Sequence, residues 1–277
     1  IMYYEVGRSS TVLMTRDNGS IGLRNNGLPE AGTELRGSPP AKITQRALAT
    51  LPALLRPDAK SMLIVGFGGG NAINGVPPTV DEIDVIELEP KVIEANRLAG
   101  EDRALDPLQD PRVSIYINDA RSALSLTTKA YDAIISQPSH PWTAGASHLY
   151  TREYMKLAAD HLTEDGVFLQ WMGGQFITES LLRSLCATML DVFAYVKVYQ
   201  LFPEVLFFVG SQQPMNAEME MAISGRPVVD APAFYYQSGF ASHEDLLAGL
   251  LLDTDGVREF SSGAKLLTDN FNRMATE

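Results

Sequence analysis

The sequence predicts an α/β protein in which a small N-terminal β-hairpin domain precedes a doubly wound parallel sheet. Three observations support this prediction. Short β-like runs with Asn-Gly turns begin the chain, a glycine-rich turn follows the first buried strand, and apolar strands then alternate with helical segments. Strands and helices that alternate in this way connect by right-handed crossovers, which place the strands in one parallel sheet.

The N-terminal β domain is expected to span residues 1–40. Strands are predicted at Thr11–Thr15 and Ser20–Arg24, joined through Asp17-Asn18-Gly19. The Asn-Gly pair favours the positive φ angles of a hairpin turn. A loop rich in proline and glycine is expected from Leu28 to Pro40.

The second domain is expected to span residues 41–277. Its predicted strands are the apolar runs Met62–Val65, Ile83–Ile86, Val113–Ile117, Ala133–Ile135 and Val167–Leu169. Its predicted helices are Ala41–Leu55, Pro90–Ala99, Ala120–Leu126, Thr151–Leu162 and Glu179–Leu190. Strands near Tyr195–Tyr199 and Val205–Val209 are expected to form an antiparallel edge. Beyond Ser211 the pattern weakens, and only a helix near Glu244–Leu251 is predicted.

The charge balance argues against nucleic acid as a partner. The chain carries 22 Lys and Arg against 34 Asp and Glu, a net charge of −12, whereas binding to phosphates needs a basic stripe. An acidic surface suits a cationic substrate, although solubility alone explains it as well. The single cysteine, Cys186, excludes an internal disulfide and is expected to be a buried core thiol.

Neither a metal site nor a membrane segment is predicted. His148, His161 and His243 show no metal-ligand spacing. The most apolar stretch, Val192–Gly210, is interrupted by charged residues and a proline, so it cannot cross about 30 Å of hydrocarbon. The chain is therefore expected to be cytoplasmic.

A glycine-rich turn, Gly66-Phe67-Gly68-Gly69-Gly70-Asn71, follows the first buried strand. Glycines allow a ligand to approach the backbone closely, so Gly66, Gly68 and Gly70 are candidate contacts for a nucleotide-like group. Asn71 stands in the place of the last glycine of the dinucleotide fingerprint, which disfavours NAD and favours an S-adenosyl-type ligand. A tight structural turn is the alternative.

Two acids at strand ends extend this candidate nucleoside site. Glu87 follows Gly66 by about 20 residues, a spacing at which a carboxylate accepts hydrogen bonds from ribose hydroxyls. A solvated acid at a strand end is the alternative. Asp119 is placed to accept the adenine amino group while the Ala120 amide donates to a ring nitrogen, and a plain helix N-cap is the alternative. Glu89 is expected to begin the helix that follows.

The loop Ser136–Gly145 leaves the fourth strand beside the point where the strand order is expected to reverse. Catalytic side chains usually stand at this point in open sheets. His140 titrates near neutral pH and is a candidate general base. Its flanking prolines favour a rigid structural loop with an exposed histidine, so both interpretations stay open.

Several motifs occur together in one order. They are the hairpin entry, Thr44–Pro52, the Gly66 turn, Ile86-Glu87-Leu88-Glu89, Asn118-Asp119-Ala120 and Tyr131–Pro141. In this combination, over about Tyr3 to Gly210 and with a fainter echo in Leu267–Asn270, the sequence resembles the spermidine synthase (polyamine aminopropyltransferase) family. It is most similar to the bacterial spermidine-synthase-like branch that is often fused behind transmembrane helices.

The resemblance implies a Rossmann-like, class I methyltransferase-type domain that assembles as a homodimer or homotetramer and that a membrane domain can precede. It implies that Gln45, Gly66, Glu87 and Asp119 line a pocket for decarboxylated S-adenosylmethionine or methylthioadenosine. The implied reaction is attack by a diamine nitrogen on the methylene next to the sulfonium, which makes a polyamine.

The sequence departs from the family on the amine side of this pocket. Family members deprotonate the amine with an aspartate on the fourth-strand loop and bind it with a second aspartate three places later. Gln137 and His140 occupy these two positions and are the candidate catalytic residues. An amide cannot take a proton at physiological pH, so His140 would have to substitute. Gly69 also replaces a family aspartate, and Thr44 replaces a tyrosine.

Three functions therefore stay open. The first is aminopropyl transfer from decarboxylated S-adenosylmethionine to a polyamine, through a degenerate amine-activating site. The second is methyl transfer from intact S-adenosylmethionine, because a fold does not fix a function. The third is a nucleoside-binding module without catalysis.

Overall fold

The computed structural model describes residues 1–17, 19–36, 44–143, 145–174, 177–215, 234, 235, 238, 240 and 243–275. These residues form a four-stranded antiparallel sheet and an eight-stranded mixed sheet. The predicted helix start at residues 41–43 lies outside them. Among the described residues, none of the helices is both long and apolar enough to cross a membrane.

The first sheet is a meander of four strands in chain order. The strands are β1 (Tyr3–Val6), β2 (Thr11–Asp17), β3 (Ser20–Asn25) and β4 (Leu28–Glu34). The predicted hairpin between β2 and β3 is confirmed by the pairing of Asp17 with Ser20. Asn18, which the sequence predicts in this turn, lies outside the described residues.

The loop expected at Leu28–Pro40 is wrong in its first half, because β4 occupies it. Asn26 and Gly27 have φ angles of 50° and 82°, which make a tight turn between β3 and β4. Pro29 lacks an N–H group, but β4 is an edge strand, where proline is tolerated. Residues 37–40 lie outside the described part of the chain.

The second sheet contains β5 (Ser61–Val65), β6 (Glu82–Glu87), β7 (Val113–Ile117), β8 (Tyr131–Ser136), β9 (Leu162–Gly173), β10 (Tyr195–Phe202), β11 (Val205–Ser211) and β12 (Leu250–Leu252). Its order is β12-β10-β11-β9-β8-β5-β6-β7. Strands β5 to β9 pair in parallel with one another. Strands β10, β11 and β12 pair antiparallel, and the antiparallel edge was predicted for β10 and β11. The order reverses between β5 and β8, where ligands bind in open α/β sheets.

Helices pack against this sheet and bury two apolar cores. They are α1 (Thr44–Leu55), α2 (Pro90–Ala99), α3 (Ala120–Leu126), α4 (Arg152–Ala159), α5 (Glu179–Val192), α6 (His243–Gly249) and α7 (Thr254–Phe260). Leu51 of α1 and Ile93 of α2 belong to one core, and Tyr154 of α4 and Leu185 of α5 belong to the other. Full burial of one such side chain contributes about 1.5–3 kcal/mol.

Two predicted helices end earlier than expected. The helix predicted at Thr151–Leu162 ends at Ala159, because Leu162 already begins β9. The helix predicted near Glu244–Leu251 is α6, and its expected last residues form β12 instead. Cys186 is a buried thiol of α5, as expected.

Candidate functional site

The glycine-rich turn lies at the end of β5, where the strand order reverses. Gly66, Gly68 and Gly70 have φ angles of 93°, 52° and 74°, which glycine adopts without strain. A Cβ atom on Gly66 would lie 2.9 Å from the carbonyl oxygen of Gln137. A Cβ atom on Gly68 would lie 3.8 Å from Ala31 Cβ, which is an ordinary contact distance. The turn is therefore tightly packed at its start and has more space at Gly68.

Glu87 ends β6 beside this turn and is buried, with 8% of its surface exposed. Its two carboxylate oxygens accept hydrogen bonds from the backbone amides of Phe67 and Glu89, both at 2.8 Å. Burial raises the pKa of Glu87, and these two amides oppose the shift. The alternative of a solvated strand-end acid does not hold, because the carboxylate is joined to the turn.

Glu89 begins α2, as expected, and it also joins the two sheets. Its carboxylate accepts the amide of Lys91 at 3.0 Å, which caps α2, and the amides of Ser9 and Ser10 at 2.8 and 3.2 Å. Burial acts to raise the pKa of Glu89, but the hydrogen bonds from Ser9 and Lys91 outweigh it and lower the pKa. This contact, which the sequence does not reveal, holds the N-terminal sheet beside the site.

A buried polar pair supports the turn from below. Arg103 is 1% exposed, and its guanidinium donates to the carbonyl oxygen of Gly69. Asn96 is fully buried and donates to the carbonyl oxygen of Gly68 at 2.9 Å. Burial lowers the pKa of Arg103 to about 10, so the guanidinium stays protonated at neutral pH. Sequence analysis missed both residues, although an asparagine on the apolar face of α2 was a possible signal.

Asp119 lies beside Glu87, because the amide of Asn118 donates to the Glu87 carbonyl oxygen at 3.0 Å. The Asp119 side chain is exposed and accepts an amide in the first turn of α3 at 2.9 Å, which is the plain N-cap of the alternative interpretation. Ala120 is buried at the start of α3, and Gln45 is half-buried in the first turn of α1. Contacts of these three residues with a nucleoside stay predictions.

Gln137 contacts the glycine turn from the loop after β8. Its side-chain amide donates to the carbonyl oxygen of Gly66 at 2.7 Å, and its backbone N–H donates to Val65 at 3.1 Å. The side chain thereby fixes the position of the first glycine. A direct role of Gln137 in catalysis stays a prediction.

His140 packs in an aromatic cluster. Its ring stacks on Trp142 with centroids 4.7 Å apart and 5° between the planes, and Trp171 lies at 5.8 Å. The side chain is half-buried rather than exposed, and burial lowers the pKa of His140, so the neutral imidazole predominates at neutral pH. Within the described residues, no group of histidine, cysteine and acidic side chains could hold a metal ion.

The reversal point, the glycine turn and the buried strand-end acid are together typical of α/β proteins that bind nucleosides. The family model described as "Spermine/spermidine synthase domain" matches residues 41–209. The chain therefore belongs to the spermine/spermidine synthase family, which confirms the resemblance.

Curated relatives of the chain are polyamine aminopropyltransferases. The enzyme of Bacillus subtilis (strain 168) is 26% identical over 159 residues, which are 55% of this chain and 55% of that one. The enzyme of Streptococcus pneumoniae serotype 4 is 29% identical over 154 residues, which are 54% and 53% of the two chains. Polyamine aminopropyltransferase 2 of Aquifex aeolicus is 27% identical, and 62% of this chain matches 36% of that one. The chain thus spans about half the length, or less, of these relatives.

Solved structures show the same fold. Spermidine synthase from Thermotoga maritima has a TM-score of 0.70 at 20% identity, with 94% of this chain and 87% of that chain covered. A spermidine synthase in complex with the transition state analogue AdoDATO has a TM-score of 0.72 at 19% identity and the same coverage, 94% and 87%. Human methyltransferase-like protein 13 in complex with SAH has a TM-score of 0.50 at 20% identity, with 72% and 90% covered. The expected Rossmann-like, class I methyltransferase-type fold with an N-terminal hairpin sheet is confirmed.

Proposed function

We propose that this protein binds decarboxylated S-adenosylmethionine and transfers its aminopropyl group to an amine, with release of methylthioadenosine. The observation that carries the proposal is the position of Glu87, whose buried carboxylate is fixed by the Phe67 amide beside the glycine turn. A carboxylate in this position suits the ribose hydroxyls of a nucleoside. Membership of the spermine/spermidine synthase family supports aminopropyl transfer as the chemistry.

The nucleoside lies along the turn in this proposal. Its ribose contacts Glu87, and its adenine contacts Asp119 and Ala120 at the end of β7. The sulfonium side chain passes over Gly68, where the turn has space for it. Gln45, in the first turn of α1, contributes a further polar contact.

The charge of the site favours the decarboxylated substrate over intact S-adenosylmethionine. Glu30 and Glu87 both flank the glycine turn, because Ala31, next to Glu30 on β4, lies 3.1 Å from a Cβ atom placed on Gly69, and Glu87 accepts a hydrogen bond from the Phe67 amide. Burial raises the pKa of Glu30, and the charge of Glu87 adds to this shift. Two such groups attract the decarboxylated compound, whose sulfonium and ammonium carry two positive charges, more strongly than the intact compound, whose carboxylate offsets one of these charges. Methyl transfer from the intact compound therefore fits this site less well.

A nucleoside-binding module without catalysis is the second candidate, and one observation favours it. The amide of Gln137 is engaged by the Gly66 carbonyl oxygen. His140, at the other loop position, is stacked on Trp142. Because these residues are a glutamine and a histidine, neither loop position offers a carboxylate to an amine, and the contacts of both side chains are structural.

Incubation of the purified protein with decarboxylated S-adenosylmethionine and putrescine, cadaverine or spermidine tests the proposal. The expected products are methylthioadenosine and the aminopropylated amine, both detected by mass spectrometry. Calorimetric titration with the intact and the decarboxylated compounds gives the comparison. Tight binding of intact S-adenosylmethionine alone would contradict the proposal and favour methyl transfer, whereas binding without turnover would favour the module. Light scattering tests the homodimer or homotetramer that the resemblance implies.

A further inference from the structure

Strand β4 carries an acidic side chain at an irregular position of the N-terminal sheet. In the pairing of β4 with β3, Ala31 lies opposite Leu23 and Pro29 lies opposite Arg24. Glu30, between these two pairs, is the extra residue of a β-bulge. Bulges redirect a side chain and are frequent beside functional sites. Regular alternation along the strand therefore does not decide on which side of β4 Glu30 lies.

The bulge brings Glu30 to the loop that follows β8. The hydroxyl of Ser139 donates to the Glu30 carboxylate at 2.5 Å and lies 3.3 Å from the hydroxyl of Thr143. The next residue of β4 packs on the glycine turn, because a Cβ atom on Gly69 would lie 3.1 Å from Ala31 Cβ. Glu30 therefore lies where the N-terminal sheet, the turn and the loop meet.

The surroundings of Glu30 suit an alkylammonium group. Burial raises the pKa of Glu30, the hydrogen bond from Ser139 opposes this shift, and the charge of Glu87 adds to it. The residue after Ser139 is His140, which stacks on the half-exposed ring of Trp142. Aromatic faces attract organic cations. Because burial lowers the pKa of His140, its neutral ring does not repel one.

We propose that Glu30 binds the ammonium group of the acceptor amine and removes its proton, a role for which neither Gln137 nor His140 offers a carboxylate. The inference rests on the proposed aminopropyl transfer. A proton passes from the ammonium to the Glu30 carboxylate, and the freed nitrogen lone pair attacks the methylene next to the sulfonium. The C–N bond forms while the C–S bond breaks, and its electron pair stays on sulfur. The products are neutral methylthioadenosine and a secondary ammonium, and Glu30 returns its proton to water.

The raised basicity of the half-buried Glu30 carboxylate favours this step. Raising the pKa of Glu30 narrows the difference between the carboxylate and the amine, which makes proton transfer easier. The hydrogen bond from Ser139 fixes the direction of the carboxylate without neutralising it. Glu87 is held by two backbone amides, so Glu30 is the better placed of the two acids to accept a proton.

The test compares Glu30→Gln, which keeps the size and removes the charge, with Glu5→Gln, a matched change at an exposed position of β1. Putrescine is titrated by calorimetry into protein saturated with methylthioadenosine, and single-turnover transfer is followed by mass spectrometry. We expect Glu30→Gln to weaken putrescine binding about tenfold or more and to slow transfer by about 10²–10⁴-fold. Methylthioadenosine binding stays unchanged in both variants, and Glu5→Gln behaves as the wild type throughout.

A pH profile separates proton transfer from a structural effect. The wild-type rate is expected to fall as the pH drops through the pKa of Glu30, which lies above the ordinary value for a glutamate. Glu30→Gln lacks this step, and Glu30→Asp restores it in part.

The outcomes distinguish this inference from the proposed function. If Glu30→Gln binds putrescine and transfers the aminopropyl group as the wild type does, the role of Glu30 is overturned and the proposed function stands. If the variant loses putrescine binding but the wild type transfers nothing, Glu30 is supported as the amine site and the transfer is overturned. A wild-type protein that neither binds putrescine nor transfers overturns both.

Discussion

Arg103 donates a hydrogen bond to the side-chain oxygen of Asn96 at 2.6 Å, beneath the glycine turn. Arg103→Met would leave this oxygen and the Gly69 carbonyl without their donor. We expect the variant to lose about 1–3 kcal/mol of unfolding free energy and to bind methylthioadenosine more weakly. Chemical denaturation and calorimetry measure the two effects. Arg97→Met, at an exposed position of α2, is the control, and equal losses in both variants would contradict a supporting role for Arg103.

Glu87→Gln tests the nucleoside side of the site. Glutamine keeps the size of the side chain but lacks the charge. Its NH₂ group is a donor, so one of the two hydrogen bonds from the backbone amides of Phe67 and Glu89 is lost. We expect methylthioadenosine binding to weaken by about 1.5–3 kcal/mol in a calorimetric titration. Glu82→Gln, on the exposed first residue of the same strand, is the matched control. Equal affinities in the two variants would leave Glu87 with a structural role alone.

The order of strands and helices follows from the sequence because apolar runs and helical periodicity alternate clearly from β5 to β9. Strand β4 was missed because Pro29 and Gly32 are unfavourable in strands and an edge position tolerates them. Strand β12 was missed because Leu250–Leu252 is too short for a period and continues the apolar pattern of α6. Local sequence patterns therefore predict the helices and strands well, except where a segment becomes a strand only because it pairs with another strand.

The candidate site divides in the same way. The glycine turn and Glu87 could be predicted because strand, turn and strand follow one another closely in the chain. Glu30 could not, because it meets Ser139 across 109 residues of sequence and through a bulge that no local pattern reveals. The buried position of Arg103 depends on the packing of its segment under the turn. Side chains whose position depends on long-range packing were therefore the ones that the sequence did not predict.

His140→Phe distinguishes between two candidates for the group that activates the amine. The variant keeps an aromatic ring on Trp142 and removes both titratable nitrogen atoms. If Glu30 takes the proton, we expect the single-turnover rate and its pH profile to stay close to those of the wild type. A loss of about 10²–10⁴-fold together with the loss of the pH step would identify His140 as the base instead. Mass-spectrometric detection of methylthioadenosine across a pH series provides the measurement.

Asp269 attaches the C-terminal segment to the α/β domain. Its carboxylate accepts two hydrogen bonds from the guanidinium of Arg121, each at 2.7 Å, and one from the hydroxyl of Thr151 at 2.8 Å. The hydrogen bonds from Arg121 lower the pKa of Asp269 below its ordinary value of 3.8, against the effect of burial. An acid of this kind stabilises the fold above its ordinary pKa and loses that contribution as the pH falls through the lowered value.

Asp269→Asn is therefore expected to reduce the unfolding free energy by about 1–2 kcal/mol at pH 7, and the difference from wild type is expected to shrink in strong acid. Because the side chains of Arg121 and Asp269 are 29% and 35% exposed, solvent screening favours the lower end of this range. Asp255→Asn breaks an exposed ion pair with Arg258 and is the control with a smaller effect. Urea denaturation at neutral and at acid pH measures both variants. In strong acid, protonation removes the charge of Asp269 from the wild type, just as the substitution does. A difference in unfolding free energy that persists undiminished in acid would therefore show that this charge does not hold the segment.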